Sequence, residues 1–219
     1  MVEQASIQAS SGGSNPTPSL HFEQSTLPEV SAFVRTHHYS HSHITAMPFV
    51  FKLLMNGCLT GVCLFSMVAG NPKAAQVLNG FSDWRDYLEL HRVVLLDEAP
   101  KNSESQFIGW CLRWLRKNTT VKAIVSFADP THGHVGIIYR ASNWLYLGKQ
   151  KQDRDRMFLD GVELHPKQFY NRFGTSSLRQ LREMKVGEIT TKPREPKHKY
   201  VFLLRPELRP LLRYEVKPW

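Results

Sequence analysis

The chain has 219 residues, of which 42% are hydrophobic, and its 28 Lys and Arg against 19 Asp and Glu give a formal net charge of +9. This composition is sufficient for a buried core and excludes wholesale disorder, and no apolar run is long enough to span a membrane. Three cysteines cannot all pair and lack zinc-ligand spacing, and the N-terminus shows no secretion signal, so we expect a reduced, cytosolic protein.

The N-terminal region is predicted to begin with a disordered arm, residues 1–20, in which Ser, Gly, Gln, Pro and Asn dominate. A short amphipathic segment is expected at His21–Arg35, and a polar loop with four histidines follows at 37–43. The first strong apolar stretch then predicts two strands, Phe49–Met55 and Gly57–Val68, because the Asn-Gly pair between them favours a tight hairpin turn.

Strands and helices are predicted to alternate in the middle of the chain. Leu88–Leu96 is rich in branched residues and indicates a strand, and apolar residues at helical spacing predict a helix over Ser103–Lys117. Val121–Phe127 is a short apolar strand, Gly133–Asn143 a short helix and Trp144–Gly148 a further strand. This order is typical of an α/β fold.

The last third of the chain is strongly basic. Residues 1–148 contain 11 basic and 10 acidic side chains, whereas residues 149–219 contain 17 basic and 9 acidic ones. The pattern after Gln150 indicates charged helix and turn, with one late strand at Lys199–Leu204. Because Tyr, Phe, Arg and Lys are interleaved here, nucleic-acid binding is the favoured interpretation, although basic tails often serve only solubility.

Three polar clusters are candidates for chemistry: His38-Tyr39-Ser40, Asn102-Ser103-Glu104-Ser105 before a helix, and the segment from Ser126 to Tyr139. Ligands bind at the carboxyl ends of strands in an open α/β sheet, and the N–H groups at a helix start attract anions. Plain capping of the helix by Asn102 or Ser103 is an equally simple interpretation, as is a turn-forming role for Asp129 before Pro130.

A functional metal site is not predicted. The histidines of 37–43 lie in one polar loop, which resembles an adventitious site more than a scaffold that brings distant ligands together. A hydrolytic triad also lacks support, because the sequence contains no G-x-S-x-G motif and all three cysteines lie in apolar context.

Several motifs, in the right order, resemble the Mom family of phage DNA-modification proteins. They are the His-Tyr-Ser loop, the strand–Asn-Ser-Glu-Ser–helix unit, KAIVSFADPTHGHVGIIYRASNWLYLG, HPKQFYNRFGTSS and KHKYVFLL, which together span most of 35–205. The resemblance implies an α/β fold of the GNAT acyltransferase type, with a central mixed sheet flanked by helices. It places a catalytic core at 21–148 and a basic part at 149–219 that completes the fold and binds nucleic acid.

The resemblance also implies a phage-encoded enzyme of the host cytoplasm that attaches a carbamoylmethyl group to the N6 of adenine in DNA and so masks restriction sites. The sequence departs from the usual pattern of the GNAT fold at one motif, and this difference affects which donor is expected. Acyl-CoA enzymes of this fold usually hold pyrophosphate with Q/R-x-x-G-x-G/A, whereas 99–105 reads APKNSES and contains no glycine. A glycyl ester brings both carbons and the nitrogen of the product, so glycyl-tRNA is the expected donor and acetyl-CoA the alternative.

This scheme assigns roles to individual residues. The catalytic candidates are Asp129 as general base or acceptor for the exocyclic amine, Ser126 and Tyr139 as oxyanion donors, and His38 and Tyr39 as residues that hold the extruded adenine. A core aromatic residue under the sheet is the alternative interpretation of Tyr139. The donor is expected to contact Asn102, Ser103, Ser105, Asn143 and Tyr146. Nucleic-acid phosphates are assigned to Lys167, Arg172, Arg179 and Arg182, with Tyr170 as a stacking residue.

The expected partners are double-stranded DNA and tRNA, and two other functions stay open. A non-enzymatic protein that coats DNA through its basic tail would keep its function after Asp129→Ala. An acetyltransferase that acts on protein or small molecules would keep its turnover after neutralisation of Arg179 and Arg182.

Overall fold

The computed structural model describes residues 18–38, 47–68, 75–150 and 155–219. Most of the predicted arm lies outside these ranges, as do Tyr39 and the remainder of the histidine loop through residue 46. Among the described residues, no helix combines the length and the apolarity that a membrane crossing requires.

The described residues form ten strands and five helices. The strands are β1 (Leu20–Ser25), β2 (Phe49–Met55), β3 (Cys58–Met67), β4 (Tyr87–Leu95), β5 (Ala123–Ala128), β6 (Leu145–Gln150), β7 (Arg156–Leu159), β8 (Val162–Leu164), β9 (Ile189–Lys192) and β10 (Lys197–Leu203). The helices are α1 (Leu27–His37), α2 (Ser103–Asn118), α3 (Ile137–Ala141), α4 (Pro166–Phe173) and α5 (Leu178–Glu183).

A seven-stranded sheet is the centre of the fold, with strand order β1-β2-β3-β4-β5-β10-β6. Its neighbouring strands are antiparallel except β4 and β5, which are parallel and are connected through α2. The prediction of an α/β fold with a central mixed sheet is therefore confirmed. The late strand β10 lies between β5 and β6, so the basic C-terminal part contributes a strand to the sheet.

The predicted hairpin is confirmed, and β2 has the predicted bounds. Asn56 and Gly57 connect β2 to β3 with φ values of 51° and 83°. Positive φ at both central positions matches the right-handed twist of the two strands, and Asn and Gly adopt it at little cost. The turn therefore follows directly from these two residues.

Helix α2 covers one face of the sheet, as its spacing of apolar residues predicts. It buries Phe107, Ile108, Cys111, Leu112 and Leu115. Its start differs from the capping interpretation, because Asn102 has a left-handed backbone (φ 70°) and its side chain makes no capping hydrogen bond. Asn102 contributes its backbone carbonyl instead, which accepts from the N–H of Gln106 at 3.0 Å.

Two predicted elements have different bounds. The amphipathic segment His21–Arg35 is in fact the edge strand β1 followed by α1, and the chain changes direction at Thr26, just before Pro28 in the first turn of the helix. The helix predicted at Gly133–Asn143 is only the five-residue α3. Gly133 and Gly136 adopt left-handed conformations with φ of 75° and 82°, which an α-helix cannot include.

The prediction of only helix and turn between Gln150 and the late strand is wrong. Strands β8, β7 and β9 form a separate three-stranded sheet, which packs with α4 and α5 around a core of Met157, Leu159, Leu164, Phe169, Leu181 and Ile189. These strands have only three or four residues each, too few to establish an alternating pattern in the sequence. We call this unit, residues 155–192, the basic subdomain.

Candidate active site

A cavity opens where β4 and β5 separate. The two strands pair only over Tyr87–Glu89 and Ala123–Val125. Beyond that point, the register of β4 with β3 passes from Leu90 to Arg92, so His91 is the extra residue of a bulge. The carboxyl ends of the strands diverge around a cavity of about 320 Å³.

The wall of this cavity is unusually rich in ionisable side chains. They come from the end of α1, from β4, from the start of α2 and from the segment after β5: His38, His91, Arg92, Glu104, Asp129 and His134. Arg92 and Asp129 are each only 8% exposed. A concave site at the carboxyl end of strands, with charged groups removed from water, is the usual setting for binding or catalysis.

Asp129 follows β5 directly and makes two defined interactions. Its Oδ1 accepts from the N–H of Thr131 at 3.1 Å, and its Oδ2 lies 3.2 Å from Lys197 Nζ, at the start of β10. Burial alone would raise the pKa of Asp129, but the hydrogen bonds from Thr131 and the charge of Lys197 outweigh burial and lower it. Asp129 is therefore an ionised hydrogen-bond acceptor at neutral pH.

Ser126 and Tyr139 are in contact, and only Tyr139 lines the cavity. Ser126 Oγ donates to the carbonyl of Leu90 at 2.8 Å, at the point where β4 and β5 stop pairing. Because a hydroxyl has a single proton, Ser126 then accepts from the Tyr139 hydroxyl, whose oxygen lies 2.7 Å away. Ser126 can therefore orient the Tyr139 hydroxyl, but it does not line the cavity in which a substrate would bind.

His38 is the other predicted catalytic residue in the wall of the cavity. It is the C-cap residue of α1, it is 8% exposed, and its backbone N–H donates to the carbonyl of Val34 at 2.9 Å. The end of α1 therefore places His38 in the wall of the cavity. Tyr39 lies outside the described residues, so its predicted role stays a prediction.

The loop between β4 and α2 borders a second cavity of about 350 Å³, which Asn102, Ser103 and Ser105 line together with Pro100 and Glu104. The N–H of Ser103 already donates to the carbonyl of Pro100 at 3.0 Å, while its hydroxyl is buried and has no hydrogen-bond partner among the residues that the structure describes. Burial raises the pKa of Glu104, against a smaller opposing effect of His134.

Asn143 and Tyr146 lie away from the main cavity. Asn143 borders a different cleft, beside Arg113 and Arg116 of α2. Tyr146 belongs to an aromatic cluster on β6 and β10: its hydroxyl is 2.8 Å from His198 Nδ1, and its ring lies 5.2 Å from that of Tyr200. The structure therefore does not bring these two side chains together with Asp129.

The residues predicted to bind phosphate lie on the two helices of the basic subdomain. Lys167, Tyr170 and Arg172 are on α4, Arg179 and Arg182 are on α5, and all five are exposed. Arg179 Nε donates to Glu183 at 2.8 Å on the same helix. The five side chains thus share one structural unit that is separate from the cavity.

No group of three His, Cys, Asp or Glu side chains in the described ranges could hold a metal ion. The histidines at 41 and 43 lie outside those ranges, so the absence of a metal stays a prediction.

Three residues of the site were not predicted: His91, Arg92 and Lys197. His91 and Arg92 are two consecutive polar residues in a strand whose remaining residues, apart from Glu89, are apolar, and this polar pair is a signal that the sequence does contain. Lys197 had no such signal, because its proximity to Asp129 depends on the position of β10 in the sheet.

Two solved acetyltransferases are similar to the chain in fold. A GNAT family N-acetyltransferase from Escherichia coli in complex with CoA matches with a TM-score of 0.50 and 11% identity, over 91% of this chain and 90% of that chain. A spermidine N-acetyltransferase chimera from Vibrio cholerae and hSSAT matches with a TM-score of 0.50 and 9% identity, over 87% of this chain and 98% of that chain. The fold is therefore GNAT-like.

A curated relative is similar in sequence. The methylcarbamoylase Mom of Escherichia phage Mu is 32% identical over 119 residues, which are 54% of this chain and 49% of that protein. The match thus spans about half the length of the relative. The profile of the Mom protein family matches residues 19–219, which include the whole cavity. The chain belongs to the Mom protein family.

Proposed function

We propose that the protein is a DNA-modifying transferase that converts adenine in phage DNA to N6-carbamoylmethyladenine in the host cytoplasm. Family membership and the name of the phage Mu relative support this proposal. The observation that carries it is the cavity at the separation of β4 and β5, which the ionised Asp129, Tyr139 and the buried Arg92 line together. The net charge of +9 favours a polyanionic substrate.

The atoms of the product favour a glycyl donor. A carbamoylmethyl group has two carbons and an amide nitrogen. Acetyl-CoA supplies only the carbons, and attachment through its methyl carbon would require cleavage of an unactivated C–H bond. Glycyl-tRNA supplies the carbons and a nitrogen as an activated ester, which suits the acyl transfer that GNAT enzymes perform.

The loop before α2 fits the pyrophosphate of CoA poorly. Asn102 and Ser103 stand where a glycine-rich loop would expose N–H groups, and the N–H of Ser103 is already bonded to Pro100. Glu104 lies in the first turn and lines both cavities, where an ionised carboxylate would repel phosphate. We therefore derive no step through CoA.

The first step is acyl transfer. The N6 of an adenine extruded from the duplex attacks the glycyl carbonyl, and the ribose oxygen of the tRNA leaves with a proton. Asp129 accepts a hydrogen bond from the exocyclic amine and so orients the lone pair of the amine nitrogen. The lowered pKa of Asp129 suits this role better than the role of a strong base. His38 contacts the base at the mouth of the cavity.

Negative charge develops on the carbonyl oxygen during this step. Tyr139 is the donor to the oxyanion, because its proton can turn from Ser126 toward the cavity while Ser126 keeps its bond to Leu90. Ser126 is a positioning residue. Arg92, which also lines the cavity, adds positive charge to the wall.

The second step is a rearrangement. The free amine of the glycyl group attacks C6 of the purine and forms a five-membered ring. The bond between C6 and the original nitrogen then breaks, and this nitrogen takes up the proton that the attacking amine loses and becomes the amide of the product. Every atom of the carbamoylmethyl group is thereby accounted for, and the step needs no oxidant or reductant.

The experiment that tests this proposal supplies each donor separately. Purified protein is incubated with duplex DNA and either glycyl-tRNA or acetyl-CoA, and the nucleosides are weighed by mass spectrometry. We expect carbamoylmethyladenine only with glycyl-tRNA, and a loss of about 100-fold or more in rate with Asp129→Ala. Modification with acetyl-CoA alone would contradict glycyl-tRNA as the donor. DNA binding without modification under either condition would indicate a binding protein.

A further inference from the structure

Two aliphatic side chains are exposed at the mouth of the cavity. Val135 is 50% exposed and lies in the short segment between Asp129 and α3, and Ile137, the first residue of α3, is 72% exposed. Single exposed aliphatic residues are common on protein surfaces. These two are notable because they border the opening through which a base would have to enter.

The segment 135–137, which carries these side chains, is fixed by contacts with Tyr200. The hydroxyl of Tyr200 donates to the carbonyl of Val135 at 2.7 Å. Gly136 has a left-handed backbone, and a Cβ at this position would lie 2.5 Å from the Tyr200 ring. Tyr200 itself is 1% exposed and stacks on Tyr139, with ring centroids 4.7 Å apart. Two apolar side chains therefore project from a segment that is anchored to the core of the fold.

Arg140, in the helix that Ile137 begins, is an exposed cation beside these side chains. Arg92 lines the cavity behind them but is only 8% exposed, and Lys197 is paired with Asp129. Apolar side chains beside an exposed arginine, on a chain with a net charge of +9, suit a partner that has apolar surface bordered by negative charge. Stacked bases between two phosphate backbones have this chemistry.

We propose that Val135 and Ile137 form a wedge that enters the base stack of duplex DNA beside the target adenine. This inference rests on the proposed function. An adenine cannot reach the cavity while it is stacked and paired, and its extrusion leaves a gap in the duplex. Aliphatic side chains from a fixed loop fill such a gap and stabilise the extruded state, as the apolar wedges of DNA-bending proteins do at the steps they unstack.

The test compares duplex with single-stranded DNA. Wild-type protein and the double variant Val135→Ser, Ile137→Ser are given a linear duplex or its separated strand, with a bacterial cell extract as the source of donor. Modified adenine is quantified by nucleoside mass spectrometry. Because a single strand needs no wedge, we expect the ratio of duplex to single-strand modification to fall about tenfold or more in the variant.

Matched variants complete the experiment. Leu211→Ser removes another exposed aliphatic side chain (39%), one that lies outside both the cavity and the basic subdomain, and should leave the ratio unchanged. Ile137→Met, which keeps an apolar tip, should retain the wild-type ratio. An unchanged ratio in the double variant, or equal losses on both substrates, would overturn the wedge. A wild-type protein that modifies neither substrate would instead contradict the proposed function.

Discussion

Lys197 Nζ lies 3.2 Å from the Oδ2 atom of Asp129, and this ion pair joins the end of β5 to the start of β10. The two strands are adjacent and antiparallel, so residues that are far apart in the sequence meet at the edge of the cavity. The charge of Lys197 adds to the hydrogen bonds from Thr131 in lowering the pKa of Asp129, and the role that we propose for this carboxylate requires its ionised form.

Loss of Lys197 should shift the pH dependence of modification. Asp129 must be ionised to accept the adenine amine, so activity falls as the pH drops through its pKa. The charge of Lys197 lowers this pKa, and Lys197→Met should therefore move the acidic limb of the rate profile to higher pH. Lys192→Met, an exposed lysine of β9, is the control. An unmoved acidic limb would show that the ion pair does not control the reaction.

Substitutions of Tyr139 and Ser126 should have different effects, the first mainly on the reaction rate and the second mainly on the stability of the fold. Tyr139→Phe removes only a hydroxyl, so we expect a rate loss of about 100-fold with a small change in melting temperature. Ser126→Ala leaves the Leu90 carbonyl without its donor, and we expect the free energy of unfolding to fall by about 1 to 3 kcal/mol. Steady-state rates and thermal melts measure the two effects. Full activity of Tyr139→Phe would exclude Tyr139 as the oxyanion donor.

The regular elements of the fold were predictable because they have local signals. Asn56-Gly57 specifies its turn, and the apolar spacing in α2 specifies a buried face. The strands of the basic subdomain were not predictable, because three or four residues form no period. Their pairing depends on contacts between β7 and β9, which are distant in the sequence.

In the candidate site, too, some residues have a local signal in the sequence and others depend on contacts between distant segments. Asp129, Tyr139 and His38 belong to recognisable motifs, and the structure places all three in one cavity wall. Tyr146 packs on Tyr200, as Tyr139 does, but it does not line the cavity, and its predicted contact with the donor stays a prediction. The bulge at His91 depends on the pairing of β4 with two different neighbours, which no local pattern encodes.

Gly136 should tolerate alanine less well than Gly133. Both have a left-handed backbone, but a Cβ on Gly136 would meet the Tyr200 ring at 2.5 Å, whereas a Cβ on Gly133 has no neighbour within 4 Å. We expect Gly133→Ala to cost about 1 kcal/mol of unfolding free energy and Gly136→Ala clearly more, about 2 kcal/mol or above. Urea unfolding curves measure both, and equal losses would contradict the close contact with Tyr200.

Lys199 should destabilise the fold at neutral pH. It is 4% exposed, its Nζ lies 4.1 Å from the centroid of the Tyr214 ring, and burial lowers its pKa to about 8. Lys199→Met removes the buried charge, so we expect the free energy of unfolding to rise by about 1 to 3 kcal/mol at about pH 7.

The effect of Lys199 on stability should depend on pH. The unfolded chain binds a proton at Lys199 up to the ordinary value of 10.5, so wild-type stability should rise between the folded pKa of about 8 and that value. The advantage of the methionine variant should therefore shrink as the pH increases. Unfolding experiments at several pH values measure it, and a less stable variant at neutral pH would contradict the account.

The basic subdomain should determine the salt dependence of DNA binding. Each phosphate contact that is lost lowers the slope of log affinity against log salt by about 0.9. We expect the separate variants Lys167→Ala, Arg172→Ala and Arg182→Ala each to lower the slope by about this amount. Arg85→Ala, an exposed arginine before β4, is the control and should leave it unchanged. Unchanged slopes in all three variants would place the DNA on another surface.

Isotope tracing of the glycine nitrogen tests the central claim most directly. Glycyl-tRNA charged with heavy-nitrogen glycine is supplied to the wild-type protein with duplex DNA, and the modified nucleoside is fragmented in a mass spectrometer. The account predicts that the heavy nitrogen is bonded to C6 of the purine and that the amide nitrogen is light, because it came from adenine. A heavy amide nitrogen, or a product with no heavy nitrogen at all, would contradict the account.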